Sequence, residues 1–174
     1  MALLFRLASF PLAAAEDAAP TATPSVTAVH TSSSIRLDGR LDEPAWQEAG
    51  TIHDLVQQDP HPGEPTPYRT EVQILADDEN LYLGVECFDP APNRVSVHTL
   101  QRDASMGGDD HVSFVLDTFA DRRTGYVFRV NAAAARLDGL ISGPDGFSDD
   151  WDGIWDARTR RTPEGWTLEV AIPT

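Results

Sequence analysis

The stretch SIRLDGRLDEPAW, residues 34–46, combines a predicted strand, a tight turn and the first turn of a helix. The turn is favoured by the Asp-Gly pair that ends at Gly39. Pro44 suits the first turn of the helix, where proline removes no needed hydrogen-bond donor. Trp46 falls one turn later, where a short amphipathic helix buries it. The stretch therefore predicts one short helix over residues 43–49 with Trp46 in the core.

The rest of the chain is a series of short apolar strands separated by turn signals, which is typical of an antiparallel β-sandwich. The clearest hairpin joins residues 70–76 to residues 81–88, and apolar side chains alternate with polar ones along both strands. Further strands are predicted at residues 95–100, 111–116, 126–130, 136–141, 154–159 and 166–172. The predicted fold class is all-β, a jelly-roll-like sandwich of about eight to ten strands with Trp166 in its core.

Composition limits the classes of function. The chain has 174 residues and a formal net charge of −15. An acidic surface repels phosphate backbones, so we expect no nucleic-acid partner. Cys87 is the single cysteine, which excludes a disulfide within this chain, and its place on the apolar face of a strand predicts an unreactive thiol. The five histidines lack HxH or HxxxH spacing, so no zinc or copper site is predicted.

The N-terminal residues are typical of an exported protein. Residues 1–15 carry one early positive charge, Arg6, then a short apolar stretch and a run of alanines, which predicts a signal peptide. Residues 16–25 are rich in Ala, Pro, Thr and Ser and predict a linker. Residues 26–174 are predicted to form one domain that is truncated at its C-terminus. The expected localisation is periplasmic, outer-membrane-associated or extracellular, in a bacterium.

Four motifs follow one another in an order that matches a known family. They are SIRLDGRLDEPAW, GEPTPYRTEVQILADDENLYLGVECFDP, RDASMGGDDHVSFVLDTF and DWDGIWDARTRRTPEGWTLEVAIP. The series covers nearly all of residues 35–173 and resembles the family 9 carbohydrate-binding modules, including domains that precede bacterial outer-membrane β-barrels. The resemblance implies a β-sandwich that binds a neutral saccharide without catalysis, in the context of carbohydrate catabolism.

A sugar site needs a flat aromatic face for the apolar side of the ring and polar groups for the hydroxyls. Trp151 is the best platform candidate, because its neighbours in the sequence are polar; a loop staple is the alternative interpretation. Trp155, at the start of a predicted strand, is a second candidate. Tyr68 and Tyr82 are open alternatives for a further platform, which has no clear counterpart here.

The resemblance also implies polar ligand-binding residues. Arg102 matches the position of the family's arginine and Trp151 that of its late tryptophan. Glu86 and Asn131 are candidates for further polar contacts. A surface ion pair with a neighbouring aspartate explains Arg102 equally well.

Carboxylates cluster at Asp145, Asp149, Asp150 and Asp152, in a loop that also contains glycine. Calcium takes six to eight hard oxygen ligands, so the cluster predicts a structural calcium site. The spacing is not that of an EF-hand, and a solvated acidic loop is the alternative. The resemblance implies calcium as a structural ion in some members of the family.

Two other functions stay open on the sequence alone. The domain can be a structural or protein-interaction part of an outer-membrane protein, with a C-terminal β-barrel as its covalently linked partner. Glycoside hydrolysis of O-glycosyl bonds needs two opposed carboxylates, one with a raised pKa. No acidic residue lies in an apolar stretch of sequence that would raise its pKa. We therefore expect no enzymatic activity here, and place any hydrolase activity in an attached domain.

Overall fold

A computed structural model describes residues 25–53, 55–143 and 146–174. The predicted signal peptide, nearly all of the predicted linker and the predicted calcium ligand Asp145 lie outside the described residues. Among the described residues, no helix has both the length and the apolar character that a membrane span requires.

Ten β-strands and two short 3-10 helices form the regular structure of the described residues. The strands are β1 (Val29–His30), β2 (Gly50–Ile52), β3 (Thr70–Ala76), β4 (Asn80–Phe88), β5 (His111–Leu116), β6 (Thr124–Asn131), β7 (Arg136–Ser142), β8 (Phe147–Ser148), β9 (Asp156–Thr162) and β10 (Gly165–Pro173). The 3-10 helices are Pro44–Glu48 and Pro92–Arg94. The predicted all-β class is confirmed.

The strands form two sheets. The six-stranded sheet has the order β1-β3-β4-β10-β9, with β2 also paired to β3. The four-stranded sheet has the order β5-β6-β7-β8. Every pairing is antiparallel except that of β1 with β3. The sheets pack face to face, so the predicted sandwich is confirmed.

The main core lies between the two sheets. Alternate residues of β4 and β10, such as Val85 and Leu168, pack against Phe128 of β6 from the opposite sheet. Trp166 is only 4% exposed, as predicted. Complete burial of side chains of this size contributes about 1.5–3 kcal/mol each, which makes the inter-sheet core the main source of stability.

A second, smaller core lies on the outer face of the six-stranded sheet. Trp46 is 2% exposed and packs there against Leu75 and Tyr82. Gly84 of β4 lies beneath the indole, and a Cβ atom at this position would come within 2.9 Å of Trp46 Cζ3. The absence of a side chain at Gly84 thus lets the N-terminal segment lie against the sheet.

Glu169 of β10 fixes that segment. Its carboxylate accepts hydrogen bonds from the backbone N–H groups of Asp38 and Gly39, at 2.9 and 2.7 Å, and from Trp46 Nε1 at 3.3 Å. The side chain is fully buried, and burial raises its pKa, against the effect of the backbone hydrogen bonds. The expectation that no carboxylate has a raised pKa was therefore wrong. Its apolar surroundings come from distant parts of the chain.

Several local predictions were wrong. Residues 34–37 and 95–100 contain no strand. In residues 95–100 the backbone N–H groups of Ser96 and His98 donate to the side chains of Asp110 and Asp109. These hydrogen bonds take the place of the backbone pairing that a β-strand would make. The predicted helix is a 3-10 helix of five residues, Pro44–Glu48. The very short β1, β2 and β8 were missed, because two or three residues carry too little alternation.

Candidate functional site

The outer face of the four-stranded sheet carries a groove of about 430 Å³. We call it the sheet face and define it by four lining residues, Val127, Arg129, Leu137 and Phe147, together with Ser113, which is bonded to Arg129. Val127 and Leu137 form its floor, and both are buried to more than nine-tenths. The groove therefore has an apolar base with polar and aromatic groups around it.

Strand alternation places the polar groups on this face. Val112 and Phe114 of β5 and Phe128 of β6 point into the core, so Ser113 and Arg129 point outward. Arg129 Nε donates to Ser113 Oγ at 2.8 Å across the two strands. Its two terminal nitrogens make no hydrogen bond with the described residues. The guanidinium is thus held in place with donors left for a ligand.

Phe147 supplies the aromatic group. It belongs to the short edge strand β8 and is 52% exposed. Its ring lies over Gly139 of β7, where an added Cβ would be 2.8 Å from Phe147 Cε2 and would also collide with the Ser148 carbonyl. Gly139 therefore lets β8 and its ring lie close to the sheet.

The predicted platform Trp151 lies at one end of the sandwich instead. It is half-buried, with its ring centroid 4.8 Å from that of Tyr126 and 6.1 Å from that of Phe128. It lines an apolar cleft of about 520 Å³, the Trp151 cleft, together with Leu81, Leu116, Ile154 and Ile172. One part of the indole is therefore used in packing, and the rest faces this cleft.

Arg102 reaches the same region but is already paired. Its Nη2 donates to Asp138 Oδ1 at 2.7 Å and to Asp152 Oδ1 at 3.1 Å, and its Nε lies 3.2 Å from Asp103 Oδ2. Asp138 is fully buried and also accepts a hydrogen bond from the backbone of Gly153. A buried carboxylate needs such a countercharge. Arg102 thus fixes the loop of Trp151, and the structure brings these two predicted residues together.

The other three predicted ligand-binding residues do not form a binding site with Trp151 and Arg102. Trp155 is 6% exposed and packs edge-on against Phe128 in the core. Glu86 lies on the outer face of the six-stranded sheet, opposite Glu71 on β3, so that sheet separates it from Trp151. Burial and the like charge of Glu71 raise its pKa.

Asn131 is fully buried, and its hydrogen-bonding capacity is used within the protein. Its amide nitrogen donates to Thr99 O and Asp109 Oδ2, and its Oδ1 accepts from the N–H groups of Ala133 and Ala135. These four bonds are all that an asparagine side chain ordinarily makes. The structure therefore gives Asn131 a structural place at the end of β6.

The carboxylates of the described residues form one cluster of three, and an arginine already pairs with it. Among the residues that the structure describes, three ligating side chains come together only at Asp103, Asp138 and Asp152. The Arg102 guanidinium is bonded to all three, so a cation already occupies the cluster. Asp149 and Asp150 lie outside it. Because Asp145 is not described, the calcium site stays a prediction.

Cys87 lies on the core side of β4 as a free, half-buried thiol. Burial raises its pKa to about 12, with a smaller opposing effect of the Thr70 side chain. A thiolate is the reactive form of cysteine, so this environment disfavours chemistry at Cys87.

The sequence interpretation missed the sheet face. Its signal is the alternation in HVSFVL and TGYVFRVN, which places Ser113 and Arg129 on the side opposite the core residues. Phe147 has no such signal, because β8 is only two residues long.

The sandwich is similar to two solved structures of a family 9 carbohydrate-binding module from Caldicellulosiruptor kristjanssonii. One is a complex with cellotriose, at 20% identity and a TM-score of 0.59, with 83% of this chain matched to 65% of that chain. The other is a complex with glucose, at 20% identity and a TM-score of 0.57, with 85% of this chain matched to 69% of that chain. This chain has the fold of a family 9 module.

The family 9 likeness concerns the fold, as its low identity implies, and this chain spans 65% of the cellotriose-bound structure. No protein-family model matches the sequence, and no curated protein matches it. The fold alone therefore does not identify the ligand.

Proposed function

We propose that this domain is a non-catalytic carbohydrate-binding module that holds a neutral saccharide on the sheet face. The observation that carries the proposal is that the half-exposed Phe147 ring and the Arg129 guanidinium line the same apolar groove. The family 9 fold supports it, since structures with that fold are complexes with cellotriose and glucose.

The chemistry of the groove matches a sugar ring. Phe147 offers a flat face to the apolar C–H side of the ring, and Val127 and Leu137 offer further apolar surface. Arg129 and Ser113 offer donors and an acceptor to the hydroxyls. The net charge of −15 disfavours anionic sugars and leaves neutral ones.

Replacement of Phe147 by alanine is expected to weaken saccharide binding by about 1–3 kcal/mol, the scale of a central aromatic contact. This corresponds to a rise in Kd of about 5- to 150-fold. Calorimetric titration with glucose and cello-oligosaccharides, within a wider panel of neutral sugars, measures the change. The ring is half-exposed, so the variant should keep the wild-type unfolding temperature.

The matched control is Ile154→Ala, which removes an exposed apolar side chain from the Trp151 cleft. We expect its affinity to equal that of the wild type. If Ile154→Ala weakens binding and Phe147→Ala does not, the saccharide lies against Trp151, as the sequence predicted. Flat titrations of a folded sample would instead favour the structural role beside an outer-membrane β-barrel.

We also propose that the protein is exported and takes part in carbohydrate catabolism, joined to a β-barrel or a hydrolase domain. These proposals are supported by the character of residues 1–15 and by the sequence resemblance. Fusion of residues 1–25 to a periplasmic reporter tests export, and retention of the reporter in the cytoplasm would contradict it. Mass spectrometry of the titrated sugars tests the absence of turnover.

A further inference from the structure

A polar pocket of about 420 Å³ lies at the end of the sandwich opposite the Trp151 cleft. We call it the end pocket and define it by Tyr68, Phe88, Arg94, Asp110, His111 and Trp166. It lies where β4 ends and where β5 and β10 begin. The Trp151 cleft is lined by the other ends of the same three strands. The two cavities therefore lie at opposite ends of the domain.

Two polar groups of the end pocket are held in fixed positions. His111 Nδ1 lies 2.8 Å from the Asp109 carbonyl, which can only accept, so Nδ1 carries the proton and Nε2 is left for a ligand. Asp110 Oδ2 accepts from the Ser96 N–H at 2.6 Å, and Oδ1 makes no hydrogen bond with the described residues. Both groups are thus oriented before a ligand arrives.

A buried pair keeps these groups in place. The Asp109 side chain is 1% exposed and accepts hydrogen bonds from the Asn131 amide and from the backbone of His98. Asp109 immediately precedes Asp110 and His111, so this pair fixes the start of β5. Such support is what gives a binding site a defined geometry.

The remaining groups of the end pocket supply a donor and apolar surface. The Arg94 side chain is exposed and makes no hydrogen bond or ion pair with the described residues. Tyr68 is 55% exposed at the rim, and Trp166 is 4% exposed at the base. Arg69 covers one face of Phe88 at 3.9 Å from the ring centroid, and Tyr68 is the more exposed of these two rings.

We infer that the end pocket is a second saccharide site, independent of the sheet face, that takes one neutral sugar unit. Carboxylate oxygen, imidazole nitrogen and guanidinium donors surround a partly aromatic cavity, which is the combination that binds adjacent hydroxyls and an apolar ring face. Asp89 and Asp110 outweigh Arg94 in charge, so an anionic ligand is disfavoured. This inference goes beyond the proposed sheet-face function and does not depend on it.

The test uses the Phe147→Ala/Arg129→Ser double variant, which removes the aromatic ring and the guanidinium of the sheet face. We expect this protein to keep saturable binding of a neutral monosaccharide such as glucose, with one site. Adding Tyr68→Ala or Arg94→Ser should raise the remaining Kd at least about tenfold. The control is Arg160→Ser, since Arg160 is also an exposed arginine without a described side-chain partner and lies on the edge strand β9. It should leave binding unchanged.

Indole N–H signals in NMR spectra locate the ligand independently of affinity. Glucose in the end pocket should shift the Trp166 signal and leave that of Trp151 in place. Loss of all binding in the double variant would overturn the second site and leave the sheet face standing. Unchanged binding in the double variant, lost with Tyr68→Ala, would support the end pocket and overturn the sheet face. No binding by the wild type would overturn both.

Discussion

Glu169 places a carboxylate under the N-terminal segment, where it meets three donors from residues more than a hundred positions away in the sequence. Removal of one partner leaves buried donors unsatisfied, which costs more than the net value of the hydrogen bonds themselves. Glu169 therefore holds the segment that contains Gly39 and Trp46 against the six-stranded sheet.

Glu169→Ala is expected to lower the free energy of unfolding by about 1–3 kcal/mol, the cost of unsatisfied buried groups. Chemical denaturation followed by the fluorescence of Trp46 and the other tryptophans measures the change. Glu86→Ala is the control, since Glu86 lies with Glu169 on the outer face of the six-stranded sheet, beside a like charge, and its loss should cost much less. Equal effects of the two substitutions would contradict the assigned role.

Asp109 is expected to make the stability of the protein depend on pH. The Asn131 amide, with the His98 and Thr99 backbone, lowers the pKa of Asp109 from 3.8 to about 2, although burial acts in the other direction. A carboxyl group with a lowered folded-state pKa stabilises the protein above its unfolded pKa. That stabilisation is lost as the pH falls from about 4 towards 2.

The Asp109→Asn variant is expected to be less stable than the wild type at neutral pH. The difference between the two unfolding free energies should shrink as the pH is lowered from about 4 to 2, because protonation removes the charge that the variant lacks. Denaturation curves at a series of pH values measure this difference. A difference that stays constant over this range would show that the Asp109 charge does not stabilise the fold.

At the scale of elements, β8 is the part of the sheet face that depends most on a single neighbour. It is only two residues long and pairs with β7 at Leu140 and Ile141. Gly139 lets it approach, because a Cβ there would collide with the Phe147 ring and the Ser148 backbone. The position of the aromatic group thus depends on a glycine in the adjacent strand.

Gly139→Ala is expected to displace β8 and, with it, the Phe147 ring. Saccharide binding should therefore weaken by about as much as in Phe147→Ala, although the ring itself is still present. Calorimetry gives the affinity, and amide chemical shifts of β8 report the displacement. The control is Gly107→Ala, where the nearest atom to an added Cβ is 3.9 Å away. Wild-type affinity with unshifted β8 amides would contradict this dependence.

The longer elements were predictable from sequence, and the shorter ones were not. The bounds of β3 and β5 agree with the predicted strands, because seven or six alternating residues give a clear period of two. Residues 95–100 have the same apolar character but lie beside Asp109 and Asp110, whose side chains bind their N–H groups. That competition comes from residues further along the chain, which a local pattern does not contain.

For the whole molecule, the net charge of −15 on 174 residues is the dominant long-range feature. Repulsion among like charges disfavours the compact state, and salt screens it over a Debye length of about 8–10 Å. Added sodium chloride is therefore expected to raise the unfolding temperature, by about 2–4 °C for each kcal/mol of repulsion relieved. Differential scanning calorimetry at increasing salt measures the rise. An unfolding temperature that falls as salt is added would show that local ion pairs, such as that of Arg102 with Asp138, outweigh the net repulsion.

The sequence by itself determined the sandwich, the burial of Trp46 and Trp166 and the acidic character of the surface. Each of these depends on local alternation or on composition, which do not require knowledge of distant neighbours. The residues of the candidate site could not be predicted in this way. The sequence resemblance selected Arg102 and left Arg129 out, and whether either arginine has free donors depends on which carboxylates lie near it in space.

Only the tertiary structure distinguishes the two arginines. Asp138, which is 36 positions away in the sequence, is buried beside Arg102 and pairs with its charge, whereas among the described residues the Arg129 side chain donates only to the hydroxyl of Ser113. Part of the Trp151 ring likewise packs against Tyr126 and Phe128, while Phe147 stays half-exposed. A side chain is free for a ligand only when no long-range partner satisfies it, and long-range partners are set by how the two sheets pack.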